Sequence, residues 1–463
     1  MVRVFRLDFS TQAVYIAIVD LFAIALMVLF IFYQPTPFGT WSEHPTRYII
    51  PSVLLLTLWL WTLYMFDLYD TKMLRPPRVL LQRVATALGI VSLIGAIVIG
   101  FTHDISRTQI RLELLIIAYA IFSTILRSMI DWFNIYWGTG ERLLVVGSKS
   151  RMRFAEESIR SNPIIRIQAL GLAEPCAPPS ITSSNTLHLE SELSCLNKLV
   201  QLYRPNRIIL DNDVFLNKET QQSLLHLRAQ GISINTADEL YEMIHGKVPV
   251  NSISIMTLMY GAPFQGTSFI HKIHHFINML LALIIMLILL PVGVLISLAI
   301  VLESWGPVFY RQERVGFRGK PFHVTKFRSM RVDAENDTGP TWASKKDPRV
   351  TRVGSVLRKL RMDEIPQLWN VLQGDMDLVG PRPERPHFVN ILRNHIPFYD
   401  LRHSVRPGIT GWAQVMAAYG DSIESSLLKV EYDIFYIQRK SIRFDMYILL
   451  RTVKIALWGR GSQ

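Results

Sequence analysis

The stretch RMDEIPQLWNVLQGDMDLVGPRPERP (residues 361–386) decides the fold of the carboxyl-terminal part of the chain. Proline is tolerated only in the first turn of a helix, so Pro366 predicts a helix that begins at about Asp363. Gly374 predicts the end of that helix. Two adjacent carboxylates, Asp363 and Glu364, are therefore expected at the amino end of a short apolar helix.

This position gives the acids two alternative roles. The helix dipole holds an acid ionised there, and free backbone N–H groups can meet a phosphate. An ionised Asp363 could act as a nucleophile or bind Mg²⁺, because hard cations prefer oxygen ligands. An aspartate that only caps a helix is also common, and the position alone favours this simpler role.

Basic residues are concentrated around the two acids. Lys326 and Arg328 alternate along the second strand of a predicted hairpin that turns at 316–319, so both are expected on one face. Prolines restrict the backbone of GPRPERP (380–386), as a preset phosphate-binding fork requires. The basic candidates of the region are Lys326, Arg328, Arg358, Lys359, Arg361, Arg382 and Arg385.

A second acidic pattern follows the predicted helix. Asp375 and Asp377 form a D-x-D, by which some glycosyltransferases hold a metal-bound nucleotide sugar, although the pattern is short and frequent by chance. The sequence has no G-x-x-x-x-G-K-[ST], H-E-x-x-H or G-x-S-x-G motif. Cys176 and Cys195 match no metal-ligand spacing and are typical of ordinary cytosolic thiols.

Apolar blocks indicate a membrane protein. Half of the 463 residues are hydrophobic, and mean hydropathy is +0.24. Four apolar segments, 15–32, 48–68, 84–101 and 112–130, each approach the roughly 20 residues that cross a bilayer. Basic residues in the connections predict that the amino terminus and everything after residue 130 are cytoplasmic. The net charge of +12 suits anionic lipid or phosphorylated molecules, and the absence of a nucleic-acid-binding motif argues against nucleic acid.

The middle of the chain, 141–265, reads as a Rossmann-like unit of a parallel sheet. RLLVVGSKSRMRFAEESIR (142–160) predicts a strand, a glycine turn and a helix. Gly147 is followed by Ser148, Lys149 and Ser150, so the second glycine that admits a pyrophosphate is missing. A degenerate folded module is favoured over a working dinucleotide site.

A fifth apolar run, 276–302, contains Pro291 and is followed by a strongly basic remainder. The basic remainder and the proline suit a helix that enters the cytoplasmic face, bends near Pro291 and returns, but the residues alone leave this and a simple fifth span almost equally favoured. Beyond it, amphipathic helices are predicted over 402–412 and 430–439, as expected of a domain on a headgroup layer.

Several motifs carry a family resemblance. They are GPVFYRQERVGFRGKPFHVTKFRSM, DPRVTRVGSVLRK, DEIPQLWNVLQGDMDLVGPRPERP, RPGITGWAQV and VEYDIFYI. Residues 268–463 resemble the bacterial sugar transferases, the polyprenyl-phosphate hexose-1-phosphate transferases of monotopic phosphoglycosyltransferase type. The whole chain resembles the long-form members of this family, which start exopolysaccharide or O-antigen units. The resemblance implies a membrane α plus α/β fold: four transmembrane helices in 1–135, the Rossmann-like module in 141–265, and a re-entrant helix with a small α+β catalytic domain in 268–463.

The resemblance also implies a mechanism. Asp363 attacks the sugar-linked phosphorus of a UDP-hexose and expels UMP, and undecaprenyl phosphate then takes the phosphosugar from the aspartyl intermediate. Glu364 assists metal binding or proton movement, and Mg²⁺ bound by Asp363 and Glu364 offsets charge on the leaving group. Phosphate and substrate contacts are expected from Lys326, Arg328, Arg358, Arg361, Arg382, Arg385 and, as a weaker candidate, Asp433.

Further expectations concern location and partners. The protein is expected as a homodimer in the bacterial inner membrane, multi-pass, in contact with membrane lipid and with its catalytic domain on the cytoplasmic face. Two positions depart from the family pattern: Leu290-Pro291 replaces Ser-Pro at the helix break, and Asp377 replaces a serine. Three rivals remain: a D-x-D glycosyltransferase that releases UDP, an NAD-dependent epimerase, and a non-enzymatic scaffold.

Overall fold

In the computed structural model, the described residues are mostly helical with small sheets. The structure describes 204–210, 218–251, 253, 268–332, 349–417, 420 and 422–458, and in the first 203 residues only separate pieces: 2–4, 7–9, 18–26, 57–68 apart from 58 and 67, 83–90 apart from 85 and 88, 118–129 apart from 120, 141–146, 167–174, 180–182, 186–190 and 200–201. The predicted four amino-terminal spans and the glycine turn after residue 146 fall largely outside these residues, and both stay predictions.

A sheet of six strands precedes the long apolar helix. Its elements are β1 (Glu141–Val146), β2 (Ile167–Glu174), β3 (Ser180–Thr182), β4 (Thr186–Glu190), β5 (Arg207–Leu210), α1 (Lys218–Ala229), β6 (Ser233–Thr236) and α2 (Ala237–His245). The strand order is β3-β4-β2-β1-β5-β6, and every pair is parallel except β3 with β4. Leu144, Val146 and Ile208 are buried with Leu224 and Leu227 of α1, which packs the helix on the sheet.

The remaining elements form the carboxyl-terminal domain. They are α3 (Ser268–Glu303), β7 (Phe309–Val315), β8 (Pro321–Phe327), α4 (Arg352–Leu360), α5 (Gln367–Gln373), β9 (Asp377–Val379), α6 (Pro386–His395), β10 (Gly408–Thr410), α7 (Trp412–Met416), α8 (Ile423–Arg439) and α9 (Ile442–Trp458), with 3₁₀ turns at Phe317–Gly319, Met362–Glu364 and Tyr399–Ser404. The hairpin β7–β8 confirms the predicted turn, and β9 pairs in parallel with β10.

One prediction about this domain is wrong. Residues 402–412 form no amphipathic helix, because Gly408 begins β10 and its N–H donates to the carbonyl of Pro381 at 3.0 Å. Pro407 has no N–H with which to continue a helix. The predicted helix over 430–439, in contrast, is the second half of α8.

The long helix α3 is the membrane-capable element among the described residues. Its helical geometry continues through Pro291, and the candidate span Lys272–Glu303 is only 11% buried inside the protein. Leu287, Ile288 and Leu290 are all more than half exposed. A run of exposed leucine and isoleucine of this length needs an apolar environment, so α3 indicates membrane association.

Both ends of α3 lie on the same domain. Near the amino end, His274 Nε2 lies 2.8 Å from Asp445 Oδ2 of α9, and Asn278 Oδ1 accepts the N–H of Leu378 at 3.0 Å. At the other end, the carboxylate of Glu303 accepts the N–H groups of Arg352 and Val353 at the start of α4. The domain is therefore fastened to the helix on both sides of Pro291.

Candidate active site

The acid pair lies in a 3₁₀ turn rather than in the helix. Arg361 adopts a left-handed conformation (φ 56°, ψ 23°) that ends α4, and the turn Met362–Glu364 follows it. Asp363 and Glu364 are 9% and 8% exposed. The sharp reversal at Arg361 brings both carboxylates to the inner side of the domain.

The predicted start of the helix at Asp363 is wrong by a few residues. Pro366 is the amino-terminal cap of α5, which begins at Gln367, and the N–H of Ile365 bonds to the carbonyl of Met362 at 3.3 Å. Because Pro366 lacks an N–H, regular α-helical bonding starts only beyond it. Gly374, with φ 86°, ends the helix as predicted.

Two cations converge on Glu364. Lys326 Nζ donates to Oε1 of Glu364 at 3.0 Å, and Arg382 Nη2 donates to the same oxygen at 2.6 Å. Lys326 comes from β8 and Arg382 from the proline-framed loop, so the structure brings together two of the predicted phosphate ligands. Both side chains are bound to Glu364 rather than left without an anionic partner.

These charges divide the two carboxyl groups into different states. Burial raises the pKa of Glu364, but Arg382 and Lys326 outweigh it and hold that pKa well below its usual range. Burial, and then the Glu364 charge, raise the pKa of Asp363, although Lys326, Arg382 and Arg358 oppose the rise. Glu364 is thus a fixed anion, and Asp363 is the carboxylate that most needs a further cation to stay ionised.

Asp363 also differs in its contacts. Among the described residues its side chain has no hydrogen bond and no ion pair, whereas Glu364 is bound twice. A carboxylate without a protein partner beside fixed cations can attack a phosphorus atom or bind a metal ion. Of the two acids, Asp363 is therefore the one whose side chain is left available for chemistry by its contacts.

Asn370 is a supporting residue that no sequence pattern indicated. It is 1% exposed; its Oδ1 accepts the N–H of Thr325 at 3.0 Å, and its Nδ2 donates to the carbonyl of His323 at 2.8 Å. These bonds tie α5 to β8, the strand that carries Lys326. The distance between Lys326 and the acids thus depends on the buried amide of Asn370.

Arg314 is a second supporting residue missed in the sequence. Its Nη1 donates to the carbonyl of Pro383 at 3.0 Å. Burial, together with the charges of Arg382 and Arg385, lowers the pKa of Arg314 to about 10 despite the opposing Glu384. Arg314 therefore supports the proline-framed loop from the β7 side.

Arg328 does not share the face of Lys326, which corrects the prediction. Strand β8 ends at Phe327, so the alternation of faces no longer applies one residue later. Arg328 Nη2 donates to the carbonyl of Ser304 at 2.6 Å, and Nη1 donates to that of Trp305 at 3.2 Å. Arg328 therefore caps the carboxyl end of α3, where cations are favourable.

The other basic candidates differ in their positions. Arg358 Nε donates to Ser329 Oγ at 3.0 Å, and its charge acts on Asp363. Arg361 supplies the left-handed turn before the acids, and Arg385 is the amino-terminal cap of α6. Of these three residues, only Arg358 is among the charges that act on the pKa of Asp363. Substrate contact by all three stays a prediction.

Asp377 is occupied by protein partners. Its Oδ2 accepts from Lys440 Nζ at 2.9 Å, its Oδ1 lies 3.3 Å from His275 Nδ1, and its side chain is 2% exposed. Lys440 and His275 outweigh burial and hold the pKa of Asp377 well below its usual range. Asp377 fastens α3 to the end of α8, which removes it from the proposed D-x-D metal site.

The substitution Asp377→Asn is expected to lower the free energy of unfolding by about 3–5 kcal/mol, because it leaves Lys440 buried without its anion. Chemical denaturation of the purified protein in detergent measures this loss. The neighbouring Asp375→Asn is the matched control and should leave both stability and turnover near wild type. A D-x-D enzyme would instead lose turnover with either substitution while remaining folded.

Asp433 is buried inside the domain, which corrects the weaker prediction that it contacts the substrate. It is 1% exposed, and its Oδ2 accepts from Arg402 Nη2 at 2.9 Å. The same Nη2 donates to the carbonyl of Arg382 at 3.0 Å. Asp433 therefore acts within the protein, behind the loop that carries Arg382.

The donor set fits a metal ion only in part. No group of three or more histidine, cysteine or acidic side chains capable of binding a metal occurs among the described residues. Mg²⁺ is commonly held by one or two carboxylates together with substrate phosphates. Asp363 offers such a carboxylate, whereas the two cations on Glu364 make it a poor ligand.

Comparison with known proteins places this site in context. Residues 269–459 match the family model described as bacterial sugar transferase. An Aeromonas hydrophila protein named UDP-N-acetylgalactosamine-undecaprenyl-phosphate N-acetylgalactosaminephosphotransferase is 37% identical over 261 residues, 56% of this chain and 61% of that protein. The chain thus spans about three fifths of that relative.

Two further relatives are covered more fully, and both are named UDP-glucose:undecaprenyl-phosphate glucose-1-phosphate transferase. The Escherichia coli protein is 32% identical over 371 residues, 77% of each chain. The Xanthomonas campestris protein is 27% identical over 433 residues, 90% of this chain and 88% of that protein. The similarity therefore extends well beyond the carboxyl-terminal domain.

Proposed function

The chain belongs to the bacterial sugar transferase family, and on this premise we propose that it transfers a sugar 1-phosphate from a UDP-sugar to undecaprenyl phosphate. It is then an enzyme of the undecaprenyl-phosphate sugar phosphotransferase class, as its relatives are named. The single observation that carries the assignment of roles is the contrast within the acid pair. Glu364 is bound by two cations, and Asp363 has no side-chain partner among the described residues.

The chemistry then follows from the positions of the side chains. Asp363 attacks the phosphorus that bears the sugar, the bond to the uridylate oxygen breaks, and UMP leaves. In the second step, an oxygen of the lipid phosphate attacks the phosphorus of the aspartyl phosphosugar. The bond between that phosphorus and the aspartyl oxygen breaks, which frees the carboxylate. Lys326 and Arg382, fixed by Glu364, supply positive charge where negative charge develops.

Mg²⁺ belongs to this proposal as a cofactor. Asp363 would hold it together with the diphosphate of the substrate, and the ion would supply Lewis-acid stabilisation of the leaving phosphate. The raised pKa of Asp363 supports this role, because a nearby cation favours the ionised carboxylate. Glu364 serves in the proposal as the anion that orients the two basic side chains.

The membrane arrangement rests on α3. A helix of 36 residues is about 54 Å long, much more than the roughly 30 Å of hydrocarbon in a bilayer, and both of its ends are bound to one domain. We therefore favour a re-entrant helix bent near Pro291 over a simple span. Four amino-terminal spans, a cytoplasmic catalytic face on the inner membrane and a homodimer complete the proposal and await direct tests.

Product analysis tests the proposed function. The purified full chain in detergent is incubated with UDP-glucose or UDP-N-acetylgalactosamine, Mg²⁺ and undecaprenyl phosphate. UMP and an undecaprenyl diphosphate sugar are expected, in equal amounts, with one of the two donors preferred. Release of UDP with a lipid monophosphate sugar would show that the sugar alone is moved and would refute the proposal.

A further inference from the structure

A buried ion pair lies behind the loop that carries Arg382. Arg402 and Asp433 are 5% and 1% exposed, and Arg402 Nη2 lies 2.9 Å from Asp433 Oδ2. Arg402 Nη1 donates to the hydroxyl of Tyr399 at 2.7 Å, and its guanidinium carbon lies 5.1 Å from the centre of that ring. The guanidinium is thus held in one place by two residues on different elements.

The loop in front of this pair, residues 380–385, we call the arginine loop. Its backbone is fixed at several points: the N–H of Gly380 donates to Thr410, and the carbonyl of Pro381 accepts from Gly408. At Gly380 an added Cβ would lie 2.5 Å from the carbonyl of Arg406, so the loop packs closely on its support. These contacts fix its start, but they do not orient the peptide at Arg382 itself.

Arg402 provides that orientation. Its Nη2 donates to the carbonyl of Arg382 at 3.0 Å as well as to Asp433. On the other side of the same residue, Arg382 Nη2 donates to Glu364 at 2.6 Å. One guanidinium therefore holds the backbone of Arg382, while the side chain of Arg382 reaches the acid pair.

We propose that Arg402 and Asp433 are positioning residues that set Arg382 for the phosphates of the nucleotide sugar. The inference rests on the proposed function and deepens it. Asp433 cannot contact a substrate at 1% exposure, but it compensates the charge of the buried Arg402. The planar fork of arginine suits this task, because one side chain can donate to a carboxylate, a carbonyl and a hydroxyl at once.

Arg402→Lys separates positioning from stability. Lysine can keep the ion pair with Asp433, but it lacks the fork that also reaches the carbonyl of Arg382. We expect kcat/KM for the UDP-sugar to fall about 10- to 100-fold, with the melting temperature close to wild type. Wild-type kcat/KM in this variant would overturn the inference. Asp433→Asn should give a similar kinetic loss together with lowered stability.

A double-mutant cycle distinguishes positioning from general damage. In the Arg382→Ala background, Arg402→Lys should add less than about a twofold loss, because the side chain to be positioned is already gone. Losses that multiply in full would overturn the inference. Arg439→Gln is the matched control. It removes the Arg439–Glu242 ion pair from α8, the helix that also carries Asp433, and should leave kcat/KM unchanged in both backgrounds.

Rates are measured as UMP release, corrected for the folded fraction from thermal unfolding. If the wild-type protein releases UDP in place of UMP, the proposed function fails. If it releases UMP while Arg402→Lys behaves as wild type, only the inference about Arg402 and Asp433 fails. The two failures are thus distinguishable in one experiment.

Discussion

Asp363→Asn is expected to reduce UMP release by about 10³-fold or more, the largest effect of any single substitution in this protein. An amide of the same shape cannot attack phosphorus, and it removes the carboxylate proposed to hold the metal ion. Asp363 has no side-chain partner among the described residues, so the fold should survive. Steady-state rates and melting temperature, measured on the same preparation, check both expectations.

The control for this variant is a substitution at Asp375, the first acid of the D-x-D pattern. Asp375→Asn also removes one carboxylate, beyond the other end of α5, and should keep turnover within about twofold of wild type. Turnover by Asp363→Asn above about a tenth of the wild-type rate would contradict a nucleophilic role. Loss of folding in that variant would contradict the absence of a structural role for the side chain.

Glu364→Gln is expected to lower kcat/KM by about 10²-fold, the second largest effect. Glutamine can still accept a hydrogen bond, but it carries no charge to offset Lys326 and Arg382. The two cations then repel each other beside Asp363, and both lose their fixed positions. Stability should also fall, because a buried charge without its partner is costly.

Glu431→Gln is the matched control for Glu364→Gln. It removes the carboxylate of Glu431, in the middle of α8, which pairs with Lys247 Nζ at 2.6 Å and is half-buried. The control should lower stability without changing kcat/KM. Equal kinetic losses in the two variants would show that the Glu364 effect is structural rather than a consequence of orienting Lys326 and Arg382.

The chain's local patterns predicted much of the carboxyl-terminal domain. The prolines and glycines placed the hairpin turn, the short helix that ends at Gly374 and the restricted arginine loop, because each of these depends on backbone preferences within a few residues. The apolar run 276–302 predicted a membrane-capable helix from its length and hydropathy, and the choice between a re-entrant helix and a simple span stays a prediction. The adjacent acids Asp363 and Glu364 were recognisable from sequence as candidate site residues, and their roles stay predictions.

The partners of those acids were not. Glu364 pairs with Lys326 and Arg382, which come from separate elements. Asp377 pairs with His275, which lies near the amino end of α3, 102 residues earlier in the chain. Such pairs depend on how helices and strands pack, which periodicity along one segment does not report. Arg328 shows this limit clearly. The strand ends at Phe327, just before Arg328, and the guanidinium donates to the carbonyl of Ser304 at the end of α3 instead of facing the acids.

Trapping the intermediate shows whether Asp363 carries the phosphosugar during turnover. The full chain in detergent is mixed with the preferred UDP-sugar and Mg²⁺ without acceptor lipid, quenched in acid, digested and analysed by mass spectrometry. The expected result is the added mass of a sugar phosphate on the peptide that contains Asp363, released when undecaprenyl phosphate is supplied. An unmodified Asp363 peptide in an enzyme that turns over, or the same mass found on another residue, would contradict it.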